Sequence, residues 1–265
     1  MRGGAAIARL SMRLVLRLLA MAFLLVAVQA HAADRVDTIA RIKQSVVAVG
    51  TFDRNRSPAF QFRGTGFAVG DGATIVTNAH VLPPAMDAEH NEALAILLPG
   101  EGDEANVREV RRSAVDPGSD LALLKLASGP PLPPLALRDS ATVREGQEVL
   151  MTGFPLGNVL GPFPATHRAM ISAITPIAIP QGNAAQLNPA VIHRLTRGSF
   201  PVFQLDGTAL PGNSGSPIYD PASGDVLGIV NMVFVKGTKE AALKEPSGIT
   251  YAVPASRLQA LLNAK

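Results

Sequence analysis

Residues 211–217 read Pro211-Gly212-Asn213-Ser214-Gly215-Ser216-Pro217. A serine between glycines suits a nucleophile on a tight turn, because glycine takes backbone conformations closed to other residues. The missing side chains also let a substrate come close. The backbone N–H groups of Gly212 and Ser214 can then converge on the oxygen of a tetrahedral intermediate, as an oxyanion hole does. An ordinary Gly/Ser turn looks the same in isolation, so the stretch acquires meaning only from its surroundings.

Working outward, two further stretches carry chemistry. In Thr77-Asn78-Ala79-His80-Val81 an apolar strand ends on a histidine, and in Ser119-Asp120-Leu121-Ala122-Leu123-Leu124 an acid heads a buried strand. An aspartate placed there can orient an imidazole. Asp116 reads instead as a turn residue, and His31, His90, His167 and His193 lack comparable context. His80, Asp120 and Ser214 therefore form the candidate catalytic triad, in the chain order His, Asp, Ser. Two members precede the run Ser128-Gly129-Pro130-Pro131-Leu132-Pro133-Pro134 and one follows it. Such a run is neither helix nor central strand, so it reads as a linker between two halves. A cleft between the halves would gather all three residues.

Both halves read as β-structure. Strand candidates are Val46–Phe52, Phe67–Val69, Thr74–Thr77, Leu94–Leu98, Val107–Val110 and Leu121–Leu126. After the linker come Glu148–Thr152, Ala169–Ile174, Val202–Leu205, Pro217–Tyr219, Val226–Phe234 and Ile249–Val253. Helical spacing marks Asp34–Ser45, and Pro254 opens a final helix over 255–264. The 24 glycines and 21 prolines suit many short strands joined by turns.

The first residues read as a secretory signal peptide over 1–32. Arg2, Arg9, Arg13 and Arg17 precede or punctuate an apolar run from Leu14 to Val28, and Ala30-His31-Ala32 offers a small-x-small cleavage site. The unbroken apolar part is shorter than the roughly 20 residues of a spanning helix, so no stable membrane span is expected after cleavage. The export reading places the mature protein in the periplasm or outside the cell. The chain has 24 Lys+Arg against 21 Asp+Glu, and four of the arginines sit in the signal. The remainder is close to neutral, which argues against a nucleic-acid partner. With 0 cysteines, cysteine-protease chemistry and cysteine metal sites are excluded. Triad chemistry needs no metal and no organic cofactor.

The three active-site stretches resemble those of the HtrA/Deg serine proteases, a trypsin-like family. Gly64-Thr65-Gly66-Phe67 is similar to the family's strand before the histidine, and Gly153-Phe154-Pro155-Leu156-Gly157 to its Gly-Asn-Pro-Phe-Gly turn. Gly248-Ile249-Thr250-Tyr251-Ala252-Val253-Pro254 is similar to its closing strand. The resemblance runs from about Val46 to the C-terminus. It implies an all-β chymotrypsin-like fold of two six-stranded antiparallel β-barrels, the first over about 46–128 and the second over about 141–254. A single protease domain over 33–265 follows, with protein or peptide substrates and room for a homo-oligomer. Ser216 stands where the family often has a second glycine, and Pro176–Phe200 is longer than expected. By this resemblance the chain is expected to hold the protease domain without a PDZ domain.

The fold implied by the resemblance also suggests a specificity pocket. Its floor would be Thr208, six residues before the nucleophile, and its wall would hold Asn231, Met232 and Val233. That pocket is narrow and uncharged, suited to small aliphatic residues, unless Asp206 reaches it and favours arginine. Asn213 stands where zymogen-derived enzymes carry an aspartate for a freed N-terminal amine, so activity is not expected to need one. Two rival readings fit less well. An α/β-hydrolase needs a histidine after its serine, and none follows Ser214. A catalytically silent peptide-binding protein of this fold would usually have lost a triad member.

Overall fold

A computed structural model describes residues 35–84, 92–100, 107–157, 161, 163–176, 200–231 and 248–264. A helix over 35–43 (α1) leads into β1 (Val46–Phe52), β2 (Phe60–Val69), β3 (Thr74–Asn78), β4 (Ala93–Leu97), β5 (Val107–Asp116) and β6 (Leu121–Leu126). These close into an antiparallel barrel in the order β1-β2-β3-β6-β5-β4. A second closed barrel, ordered β10-β11-β12-β9-β8-β7, comprises β7 (Glu148–Gly153), β8 (Ala165–Pro176), β9 (Pro201–Leu205), β10 (Pro217–Tyr219), β11 (Val226–Val230) and β12 (Thr250–Pro254). The chain continues into α2 (Ala255–Asn263). Two six-stranded antiparallel barrels are the chymotrypsin-like architecture expected from the sequence.

The apolar runs of β1 and β6 are continuous because these strands are covered on both faces. Side chains alternate across a strand. Val47, Val49, Ala122 and Leu124 pack within the first barrel with Ala68, Ile75 and Ile96. Their neighbours Val46, Ala48, Leu121 and Leu123 face the other way and meet Leu150, Phe154, Tyr219, Val226 and Ile229 of the second barrel. The seam is thus a third core, shared by the barrels. Phe67, Phe154 and Tyr219 are almost wholly buried in it. Each such side chain contributes roughly 1.5–3 kcal/mol of burial.

Three strands run longer than their apolar cores suggested. β2 begins at Phe60, seven residues before Phe67; β5 continues past Val110 to Asp116; β8 spans Ala165–Pro176. The added residues are polar or half-exposed, as on antiparallel strands with one face toward water. The proline-rich linker is an ordered crossing. Leu135 N donates to Ala68 O at 2.9 Å in the first barrel, and Arg138 N donates to Val226 O at 2.9 Å in the second. The Arg138 guanidinium clamps the β10–β11 turn through Asp220 and Asp225, each at 3.0 Å.

α1 packs on the second barrel although it feeds the first. Arg35 pairs with Glu148 at 3.0 Å, and Thr38 and Arg41 donate to the carbonyls of Ala222 and Ser223 at 3.2 and 2.7 Å. Among the described residues no helix is long and apolar enough to cross a membrane. The expected signal segment lies outside them.

Candidate active site

His80 and Asp120 are neighbours because β3 and β6 are. Asn78, the last residue of β3, pairs with Leu121, the first of β6. The 3-10 turn Ala79–Val81 then lifts His80 off the strand end. Asp120 has φ 55, a left-handed conformation rare outside glycine. The conformation is held by its carbonyl, which accepts from Ala79 N at 3.0 Å and from Asn78 Nδ2 at 3.1 Å. The carboxylate is saturated in turn. Oδ1 accepts from His80 N at 2.9 Å, while Oδ2 lies 2.6 Å from His80 Nδ1 and accepts from Asn231 Nδ2 at 2.8 Å. A carboxylate can only accept from Nδ1, so the neutral imidazole keeps its proton there and presents Nε2 as an acceptor. His80 Nε2 lies 2.9 Å from Ser214 Oγ.

Ser214 is carried by two consecutive turns. Asn213 N donates to Leu210 O at 3.0 Å, and Ser216 N donates to Asn213 O at 3.0 Å. The third position of each turn is a glycine with positive φ, Gly212 at 103° and Gly215 at 88°. Turns of that kind require glycine there. A Cβ would also collide with backbone, 2.3 Å from Phe154 O at Gly212 and 2.1 Å from Thr65 O at Gly215. Within the described residues neither Gly212 N nor Ser214 N has an acceptor. Both donors remain available to an incoming oxygen.

The nucleophile loop belongs to the second barrel yet hangs on the first. Thr65 N donates to Ser214 O at 2.8 Å, and Thr65 Oγ1 donates to Gly212 O at 2.8 Å while accepting from Phe154 N at 3.1 Å. These bonds explain why Gly64-Thr65-Gly66 and Gly153-Phe154 occur far from the nucleophile in sequence. Gly153 must lack a side chain because its Cβ would lie 1.9 Å from Ser216 Oγ. Thr65 was not singled out as a support of the site. Its signal was a hydroxyl at a fully buried strand position, where a partner is obligatory. Asn213 is fully buried, and among the described residues its side-chain atoms have no hydrogen-bond partner. A neutral amide is far cheaper to bury there than a carboxylate.

The expected pocket residues are distributed differently. Thr208 is exposed. Asn231 is fully buried with its side chain spent on Asp120, so it supports the triad where a place in the pocket wall was expected. It directly follows β11. Asp206 is engaged on β8: its Oδ1 accepts from Met170 N at 2.6 Å. Thr250 Oγ1 bonds Gly207 O and accepts from Ala209 N at 2.8 Å, pinning the loop around Thr208. Met232, Val233, His31, His90 and His193 lie outside the described residues. His167 sits on β8 opposite Met151, where burial holds its imidazole below the usual pKa. Among the described residues no group of three or more His, Asp or Glu could hold a metal ion.

Residues 64–229 match the family model described as trypsin-like peptidase domain. The chain is 32% identical over 200 residues to "Serine protease HTRA2, mitochondrial" of Bos taurus, an alignment covering 76% of this chain and 35% of that protein. It is 27% identical over 232 residues to "Serine protease HTRA3" of Homo sapiens, covering 85% and 44%. The chain thus spans less than half the length of these curated relatives. Two solved structures share the fold. The Rv3671c protease from M. tuberculosis in its active form matches with a TM-score of 0.59 at 21% identity, covering 85% of this chain and 82% of that one. The HtrA-type protease AlgW with tripeptide matches at 0.60 and 22%, covering 87% and 62%.

Proposed function

Because the chain belongs to the trypsin-like peptidase domain family, with HtrA proteases among its relatives, we propose that it is an exported serine endopeptidase using His80, Asp120 and Ser214. The observation that carries the proposal is the unbroken line Asp120 Oδ2, His80 Nδ1, His80 Nε2, Ser214 Oγ, with contacts of 2.6 and 2.9 Å. Ser214 Oγ attacks the scissile carbonyl as His80 Nε2 takes its proton. Asp120 stabilises the imidazolium. The carbonyl oxygen, now negative, turns toward Gly212 N and Ser214 N. His80 then returns the proton to the departing amine, and a water repeats the sequence on the acyl-enzyme. Nothing in this cycle calls on a metal or cofactor.

Cleavage after small aliphatic residues is favoured because Asp206, the acid in the described loop before the nucleophile, is engaged on β8. Asn213 carries no charge for a freed N-terminal amine, so an extended N-terminus leaves activity intact. Export rests on the Arg-rich start and Ala30-His31-Ala32; a mature N-terminus near Ala33 would confirm it by N-terminal sequencing. The test of the whole is a fluorophosphonate probe together with casein hydrolysis. The wild-type chain labels and cleaves, and Ser214→Ala lowers kcat by about six orders of magnitude. Equal casein cleavage by Ser214→Ala would refute the assignment. A folded wild-type chain that binds peptide without labelling would make it a silent binding protein.

A further inference from the structure

A cleft of about 400 Å³ opens beside His80, away from Ser214's barrel. Its lining among the described residues comes from the first barrel: Arg63 on β2, Ala79, His80 and Leu82, Pro83 and Pro84 after β3, and Arg112 and Val115 on β5. Two arginines reach it from opposite sides and grip the same short stretch of chain. Arg63 Nε donates to Val81 O at 2.6 Å and its Nη2 to Leu82 O at 3.5 Å, while Arg112 Nη2 donates to Pro83 O at 3.3 Å. Three successive carbonyls therefore hold two guanidinium groups in place. Each guanidinium has five N–H donors, so among the described residues most remain unused. Among the described residues no carboxylate pairs with either arginine. The rest of the wall is apolar, from Leu82, Pro83, Pro84 and Val115.

We propose that this cleft is a subsite for an acidic side chain on the departing half of the substrate, one or two residues after the scissile bond, with Arg63 and Arg112 as its specificity-determining residues. The proposal rests on the protease reading above. The acyl half of a substrate becomes attached to Ser214, on the second barrel. The departing amine receives its proton from His80 and lies over the first barrel, where the cleft is. Two fixed cations supply the charge, as guanidinium forks suit carboxylates. The apolar wall accommodates the methylenes of Asp or Glu. Arg112 is exposed and Arg63 half-buried, so water and salt weaken the attraction.

The test compares kcat/KM for matched peptides with Asp, Asn, Glu or Gln at the first and second positions after the scissile bond. The acid is preferred about five-fold at low salt, and the preference shrinks as salt is added. In Arg112→Gln the acid-to-amide ratio falls toward one, and in Arg112→Glu it inverts, whichever way the neutral rate moves. A wild-type ratio of one at both positions, or an acid preference found only before the scissile bond, overturns the subsite. Should the chain cleave none of the peptides, the protease reading fails separately. Competition between the Asp and Asn peptides for binding to the Ser214→Ala protein then still reads the cleft, and equal affinity overturns it.

Discussion

The edge of the candidate site that holds the proposed triad, here the triad edge, and the edge proposed for the pocket, here the pocket edge, are built on different principles. At the triad edge every group is fixed more than once: Asp120 through its carbonyl, both carboxylate oxygens and an unusual φ, and Ser214 through two turns hung on Thr65. At the pocket edge Thr208 is exposed and its loop is pinned from outside, by Thr250 and by Asp206 on Met170. Proton transfer demands particular residue types at fixed separations, and those demands leave marks in the chain. Selecting a side chain demands only a shape, which many residues can supply.

Perturbing the triad edge gives the largest effects. Asp120→Asn leaves the geometry near His80 but presents an amide that favours the wrong imidazole tautomer, and kcat falls about 10⁴-fold. Steady-state kinetics on a casein-derived peptide checks this; a loss under ten-fold would break the contrast. Gly215→Ala places a Cβ against Thr65 O with φ still positive, destabilising the fold by about 3 kcal/mol and lowering Tm by roughly 6–12 °C. Calorimetry decides it, and an unchanged Tm would mean that the nucleophile turn is not constrained by β2.

Asn231 lies between the two edges and sharpens the comparison. As a support of Asp120, its change to Ala lowers kcat about ten-fold with KM nearly constant, equally for peptides with Val, Ala, Phe or Arg before the scissile bond. A changed order among those four peptides would return Asn231 to the pocket wall. The smallest effect belongs to Asp206→Asn. Its bond to Met170 is exposed, so stability falls by about 0.5–1 kcal/mol, while the preference among the same peptides stays as it was. A gain or loss of cleavage after Arg would show that Asp206 does reach the substrate.

The same contrast explains what could be read from residues alone. The apolar runs on either side of the proline-rich crossing implied two β halves, and the order His80, Asp120, Ser214 fits a cleft between them. Strand cores stood out where both faces are buried, as in β1 and β6; the ends of β2, β5 and β8 did not, since their polar residues look like loop. The bond from Asn231 to Asp120 could not be read because a count along the chain gives position but not the direction a side chain faces. Thr65 escaped notice because a buried hydroxyl is informative only once burial is known. Arg63 and Arg112, distant in sequence, meet only through barrel closure.

The placement of α1 has a mechanical consequence. The chain touches the second barrel through Arg35, Thr38 and Arg41, winds through the first, and returns by the crossing that Arg138 anchors. The two halves are therefore suspended from two points, like a gate with an upper and a lower hinge. Severing the crossing alone would leave them aligned by the other strap and the seam. The separation between His80 and Ser214, which a single tether would leave to thermal rocking, is set by a closed loop of contacts.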